Sequence, residues 1–199
     1  MSISRKFSTA VIATFLTISS SLPVAISAQA APSSGEYSSG EIVAAGHQFF
    51  GATSSGLASV MERAISLYGL PNGYIIGQEA SGAFVGGLRY GEGTLYTKNA
   101  GTRPVYWQGP SIGFDFGGDG ARTMMLVYEL TQIDRIYRRF AGVNGSAYLV
   151  GGVGMTLMYQ TDDGQKPVYV VPIRTGIGAR LGINVGYLKF SERATWNPF

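Results

Sequence analysis

The chain contains no cysteine and a single histidine in 199 residues. Without cysteine there is no disulfide framework, no thiolate metal site, no cysteine nucleophile and no attachment point for the lipid of a bacterial lipoprotein. The lone imidazole, His47, falls in a short amphipathic stretch with no aspartate nearby in sequence to orient it. A Ser-His-Asp or Cys-His hydrolase therefore lacks its base, and a zinc site lacks its ligands. His47 reads as an ordinary helix histidine, and no cofactor or metal is expected.

Charge of one sign is also scarce. The net charge is +3, but Arg5 and Lys6 lie in the N-terminal stretch, and beyond it 13 basic residues face 12 acidic ones. The densest basic cluster is Arg135, Arg138 and Arg139, too small a patch for a polyanion, so nucleic acid is not an expected partner. Nucleotide motifs fail as well. Gly176-Ile-Gly-Ala-Arg-Leu-Gly182 is one residue too long for the dinucleotide fingerprint and sits in a strand-like alternation, and Gly151-Gly-Val-Gly154 is followed by neither a helix nor a Lys-Ser/Thr pair.

Long apolar runs are limited to Phe7–Leu22, which Thr14, Thr17 and Ser19 to Ser21 interrupt and which falls short of the ~20 residues of a membrane span. Preceded by Arg5 and Lys6 and followed by Ala28-Gln-Ala30, it has the three-part form of a secretory signal peptide. The expected organisation is a signal peptide over 1–30, a flexible linker over 31–40 and one glycine-rich domain over 41–199, released into the periplasm. No transmembrane helix is expected after cleavage. Whether chains pair is not legible.

What the chain does have is glycine. All 29 glycines follow residue 30, about a sixth of that region against an average of ~7 per cent. They are scattered through strand-like segments, where glycine marks bulges, sharp bends and close backbone approaches. The expected fold is mainly β, a small antiparallel β-barrel with short N-terminal helices and one inserted helix. The helices are predicted over Glu41–Phe50, from the caps Ser54 and Ser55 to Tyr68, and from a Thr131 cap over Gln132–Phe140, with Arg135 on the wet side of the last. Strands are predicted at Tyr74–Gln78, Ala83–Tyr90, Gly93–Thr97 after a Tyr90–Gly93 bend, Val105–Gln108, Ala147–Gly152, Val153–Thr161 and Pro167–Arg174. Ile177 to Tyr187 alternates cleanly with glycine and reads as a last strand. The organising stretch is a hairpin from Ile112 to Glu129 around the turn Gly117–Gly120. Its second arm, Thr123–Tyr128, is apolar at consecutive positions and so predicts a central strand covered on both faces.

Tyr106 and Trp107, with Asp115 and Arg122 on the hairpin, form the candidate ligand-binding group. An amphipathic surface of that kind suits a lipid or an envelope polymer such as polysaccharide or peptidoglycan; packed into a core, the aromatics give the same pattern. Asp115 can also meet Glu79 or Glu92 across the sheet as the carboxylate pair of a glycan hydrolase. The competing arrangement pairs it with Arg89, Arg122 or Arg180. An integral outer-membrane barrel is a further alternative, suggested by the glycine-alternating last strand and Phe199. Eight spanning strands leave too little chain for it.

Gly82-Ala-Phe-Val-Gly-Gly-Leu-Arg-Tyr-Gly-Glu-Gly-Thr-Leu-Tyr96, followed by Pro110-Ser-Ile-Gly-Phe-Asp-Phe-Gly-Gly-Asp-Gly-Ala-Arg-Thr-Met-Met-Leu-Val-Tyr128, resembles the SYLF lipid-binding domain. No basic N-terminal segment of the kind through which that family binds acidic phospholipids is expected to survive signal cleavage, so direct lipid binding does not carry across. More closely, the whole chain, including its leader and Tyr106-Trp-Gln-Gly-Pro-Ser-Ile-Gly-Phe-Asp-Phe-Gly-Gly118, resembles the alphaproteobacterial domain-of-unknown-function family that includes envelope integrity protein A. That resemblance implies a periplasmic β-barrel with a non-catalytic role in keeping the cell envelope intact.

Overall fold

The computed structural model of the chain describes residues 35–51, 56–82, 88–110, 121–160, 164, 166–175, 186–195 and 197. Two helices, α1 (Ser39–Phe50) and α2 (Leu57–Tyr68), precede the strands β1 (Gly73–Gly82), β2 (Leu88–Thr97), β3 (Gly101–Pro110) and β4 (Ala121–Tyr128). A 3₁₀ turn at Ile133–Ile136 leads into β5 (Arg139–Gly142), β6 (Tyr148–Val150), β7 (Val153–Met155), β8 (Met158–Gln160), β9 (Tyr169–Thr175) and β10 (Tyr187–Ser191). Eight of these strands close a ring in the order β4-β1-β2-β3-β10-β5-β8-β9, and β9 returns to β4. Every pairing is antiparallel. β7 pairs with the far half of β9 and carries β6 on its other edge. The expected mainly β barrel is the fold.

Successive side chains of a strand point to opposite faces, so the barrel has an inner and an outer set. Ile75, Leu95, Val105, Trp107, Met125, Val127, Phe140, Leu188 and Phe190 fill the inside. Met124, Leu126 and Tyr128 of β4, with Val171 and Ile173 of β9, face outward and are covered by Ile42, Leu57, Val60, Met61 and Ala64 of the helices. β4 is therefore paired along both edges and buried on both faces from Thr123 to Tyr128. That double burial is why its apolar run is unbroken.

The helices are tied down locally. Ser38 and Glu41 form a capping box at the start of α1, and Lys98 of the β2–β3 turn bonds the same carboxylate at 2.8 Å. The Lys98 bond, then those from Ser38, hold the Glu41 carboxyl down at about 2. The N-cap of α2 is Gly56, without a side-chain cap; the expected caps Ser54 and Ser55 lie outside the described residues.

Three local expectations are corrected. Tyr90–Gly93 is no bend: it lies inside β2, whose ten residues pair without interruption with β1 and β3. Gln132–Phe140 is no helix but a single 3₁₀ turn followed by β5, because Ile136 and Phe140 are drawn into the barrel. Arg135 is not on a wet side; it is buried and donates to the Lys166 carbonyl at 2.9 Å and to Gln160 Oε1 at 3.3 Å. The first arm and turn of the expected hairpin, Ile112–Gly120, and most of the expected last strand, 177–185, lie outside the described residues.

Candidate functional site

The barrel has two chemically different ends. At one, Glu79 of β1, Arg89 of β2 and Arg174 of β9 point inward beside Trp107 of β3, all buried. Arg174 donates to both Glu79 oxygens at 3.1 Å, Arg89 Nε lies 3.0 Å from Oε1, and Trp107 Nε1 donates to Oε2 at 2.9 Å. Burial by itself raises the Glu79 carboxyl; the guanidiniums of Arg174 and Arg89 more than offset it and hold it below the usual range. Glycines make room for the indole. A Cβ on Gly91 would fall into the Trp107 ring, and one on Gly77 would come within 2.8 Å of its Cη2. Gly91 thus stays in β2 for a packing reason, which the glycine pattern alone does not distinguish from a bend.

At the other end a cleft of about 760 Å³ opens at the rim, under the end of α2. Its walls come from the α2 C-terminus (Tyr68), the approach to β1 (Asn72), the β2–β3 turn (Asn99) and the exit of β4 (Tyr128, Glu129, Leu130). Asn72 fixes that exit: its Nδ2 donates to the Leu130 carbonyl at 3.0 Å, and its Oδ1 accepts from the Leu130 amide at 3.2 Å. Glu129 has φ 59°, the single non-glycine residue with positive φ among the described residues, and its carboxylate pairs with Lys166 at 2.8 Å. Tyr128 meets Tyr68 edge to face, with ring centroids 6.1 Å apart. The Tyr128 hydroxyl is buried and has no hydrogen-bond partner among the described residues. Burial, then the neighbouring Tyr68, pushes its pKa up.

The residues singled out from the sequence are divided by the sheet. Trp107 is 0% exposed inside the barrel, so it takes no part in an outer surface. Tyr106 is half-buried on the outer face. Arg122 also faces outward, and the register joins the two in one row: Arg122 opposite Gln78, Gln78 opposite Glu92, Glu92 opposite Tyr106. At ~4.8 Å per strand, the ends of that row are ~14 Å apart. Arg122 already donates to the Phe49 carbonyl at 2.9 Å and lies over the Phe49 ring, clamping the end of α1. Asp115 lies outside the described residues. Glu79 and Glu92, its expected partners, point to opposite faces, Glu79 inward and Glu92 out to solvent.

Sequence reasoning missed Asn72, Tyr128 and Glu129 as parts of a site. The available signal was the cluster of Tyr, Asn and Thr residues where strands begin and end, at Asn72, Thr97-Lys-Asn99 and Tyr128–Thr131.

Residues 35–199 match the family model of envelope integrity protein A. The chain belongs to the envelope integrity protein A family. The crystal structure of a beta-barrel-like, uncharacterized protein from Brucella abortus is 59% identical, covers 83% of this chain and 99% of that one, and superposes with a TM-score of 0.76. No curated protein matches. Membership in the envelope integrity protein A family ties the chain to the integrity of the cell envelope. Among the described residues no helix is long and apolar enough to cross a membrane.

Proposed function

We propose that this envelope integrity protein is a non-catalytic periplasmic factor that stabilises the envelope by holding one of its components, a polymer or a lipid, in the cleft at the barrel rim. The observation that carries this is the cleft itself. Its volume is that of a ligand pocket, and its walls mix tyrosine faces with a buried hydroxyl that no described residue uses.

The chemistry favours binding over turnover. A glycan hydrolase needs one carboxyl raised to act as acid and a second across the bond. Glu79 is instead lowered and locked between two arginines, and Glu92 lies beyond the sheet from it. The pattern of polarity favours a barrel in water over one embedded in an outer membrane. The apolar residues are inside or under the two helices, while Gln78, Glu92, Arg122 and Lys189 face out; a membrane barrel has an apolar outer band. The Arg5–Ala30 pattern is what supports export.

The test is complementation of a deletion strain with full-length chains in which exposed cleft residues are enlarged, Asn99→Trp and Thr131→Trp. Both variants should accumulate normally yet leave cells as detergent-sensitive as the deletion, whereas Tyr106→Ala should restore resistance. Full protection by the filled-cleft variants would show that the cleft is not where the protein works.

A further inference from the structure

Resting on the cleft as the working site, we infer that its occupant is an uncharged, hydroxyl-rich chain, a stretch of neutral glycan. Three features of the walls lead there.

The first is charge. Among the described residues, the lining contains two carboxylates, Glu36 and Glu129, and no lysine, arginine or histidine. A phosphate or acidic headgroup would meet like charge, and Lys166, the cation beside Glu129, is already spent on that carboxylate. The carboxylates do not make a cage for an organic cation either, since Glu129 is already matched by Lys166 and Glu36 has a partner of its own.

The second is hydrogen bonding. Asn72 spends its amide on the Leu130 backbone, and Thr97 spends its hydroxyl on the turn to Gly101. Of the lining's buried side-chain polar atoms, the Tyr128 hydroxyl is the one without a partner among the described residues, and 4% of the residue is exposed. Kept neutral by burial, a phenol both donates and accepts, which complements a sugar hydroxyl at any ordinary pH.

The third is shape. Tyr68, Tyr128 and Tyr169 line the cleft beside Leu130, Ile133 and Leu157, Tyr128 almost wholly buried. This mixture suits a molecule with alternating C–H faces and hydroxyl edges better than a bare acyl chain.

The experiment titrates the purified protein by calorimetry with three probes. These are the delipidated polysaccharide of host envelopes passed through an anion exchanger so that only its uncharged part remains, vesicles of phosphatidylcholine with phosphatidylglycerol, and tetramethylammonium. The polysaccharide should bind, with an affinity that changes less than about twofold between low and high salt because no charge pair is formed. Tyr128→Phe, which keeps the ring, should weaken it roughly five- to tenfold at an unchanged near-ultraviolet dichroism spectrum, and Asn99→Trp should abolish it. Binding of vesicles or tetramethylammonium in place of the polysaccharide, blocked by Asn99→Trp, would overturn the neutral-glycan assignment and leave the cleft as the site. Polysaccharide bound equally well by both variants, or no binding by any probe, would overturn the cleft as well.

Discussion

The two ends of the barrel solve opposite problems with the same strands. At the Glu79 end three charged side chains are taken out of water and must neutralise one another, Arg174 and Trp107 by hydrogen bonds to Glu79 and Arg89 as an ion pair with it, and the glycines opposite Trp107 leave no slack. At the Tyr128 end the strands stop, the backbone is fixed by Asn72 and Glu129, and a buried hydroxyl is left without a described partner. A buried ion pair contributes little net stability, but losing one member is expensive. The closed end should therefore be intolerant of substitution, and the open end tolerant in folding and sensitive in binding.

The largest expected effect breaks the closed end. Glu79→Gln leaves two buried guanidiniums without their carboxylate and should cost about 3–5 kcal/mol by chemical denaturation; a loss under about 1 kcal/mol would mean the cluster is not the constraint described. The same group sets an acid limb. Because the folded Glu79 carboxyl is held below its ordinary value of 4.5, its contribution is present above that value and is lost as the pH falls through the folded one. Thermal melts should drop in that window, and the drop should be shallower in Glu79→Gln. Next, Gly91→Ala drives a methyl into the Trp107 ring and should cost about 1–3 kcal/mol. If the indole is the obstacle, Trp107→Leu should recover part of the loss. At the open end, Tyr128→Phe should alter stability by no more than about 1 kcal/mol while impairing binding; a large destabilisation would erase the contrast between the ends. Smallest of all, Arg122→Ala on the exposed outer face should cost about 0.5–1 kcal/mol, seen as faster amide exchange at the end of α1.

How legible this was depends on the range of the interactions. Period-2 alternation and the Thr123–Tyr128 run report which faces are covered, and from them the barrel and its central strand follow. The Ser38–Glu41 capping box spans only four residues, yet the helix read from apolar spacing begins at Glu41 and does not show it. The charged end was half legible, since Glu79 and Arg89 stand out as strand charges needing partners. Arg174 joins them only because β9 closes on β4, a pairing about fifty residues apart in sequence with no local trace. Gln132–Phe140 misled because Ile133, Ile136, Tyr137 and Phe140 have helical spacing, yet the inside of the barrel claims Ile136 and Phe140 through a 3₁₀ turn and a strand. The cleft was not legible, because Tyr68, Asn72, Asn99 and Tyr128 come from four separate segments that meet only at the rim.

The position of β10 carries a consequence for biosynthesis. It sits between β3 and β5, both made well before it, so the ring stays open until residues 187–191 have left the ribosome. Until then β3 and β5 each present a bare row of amides and carbonyls, the kind of surface on which nascent chains stick to one another. A product ending short of Tyr187 should accumulate as aggregate or be degraded, whatever the state of its first nine strands.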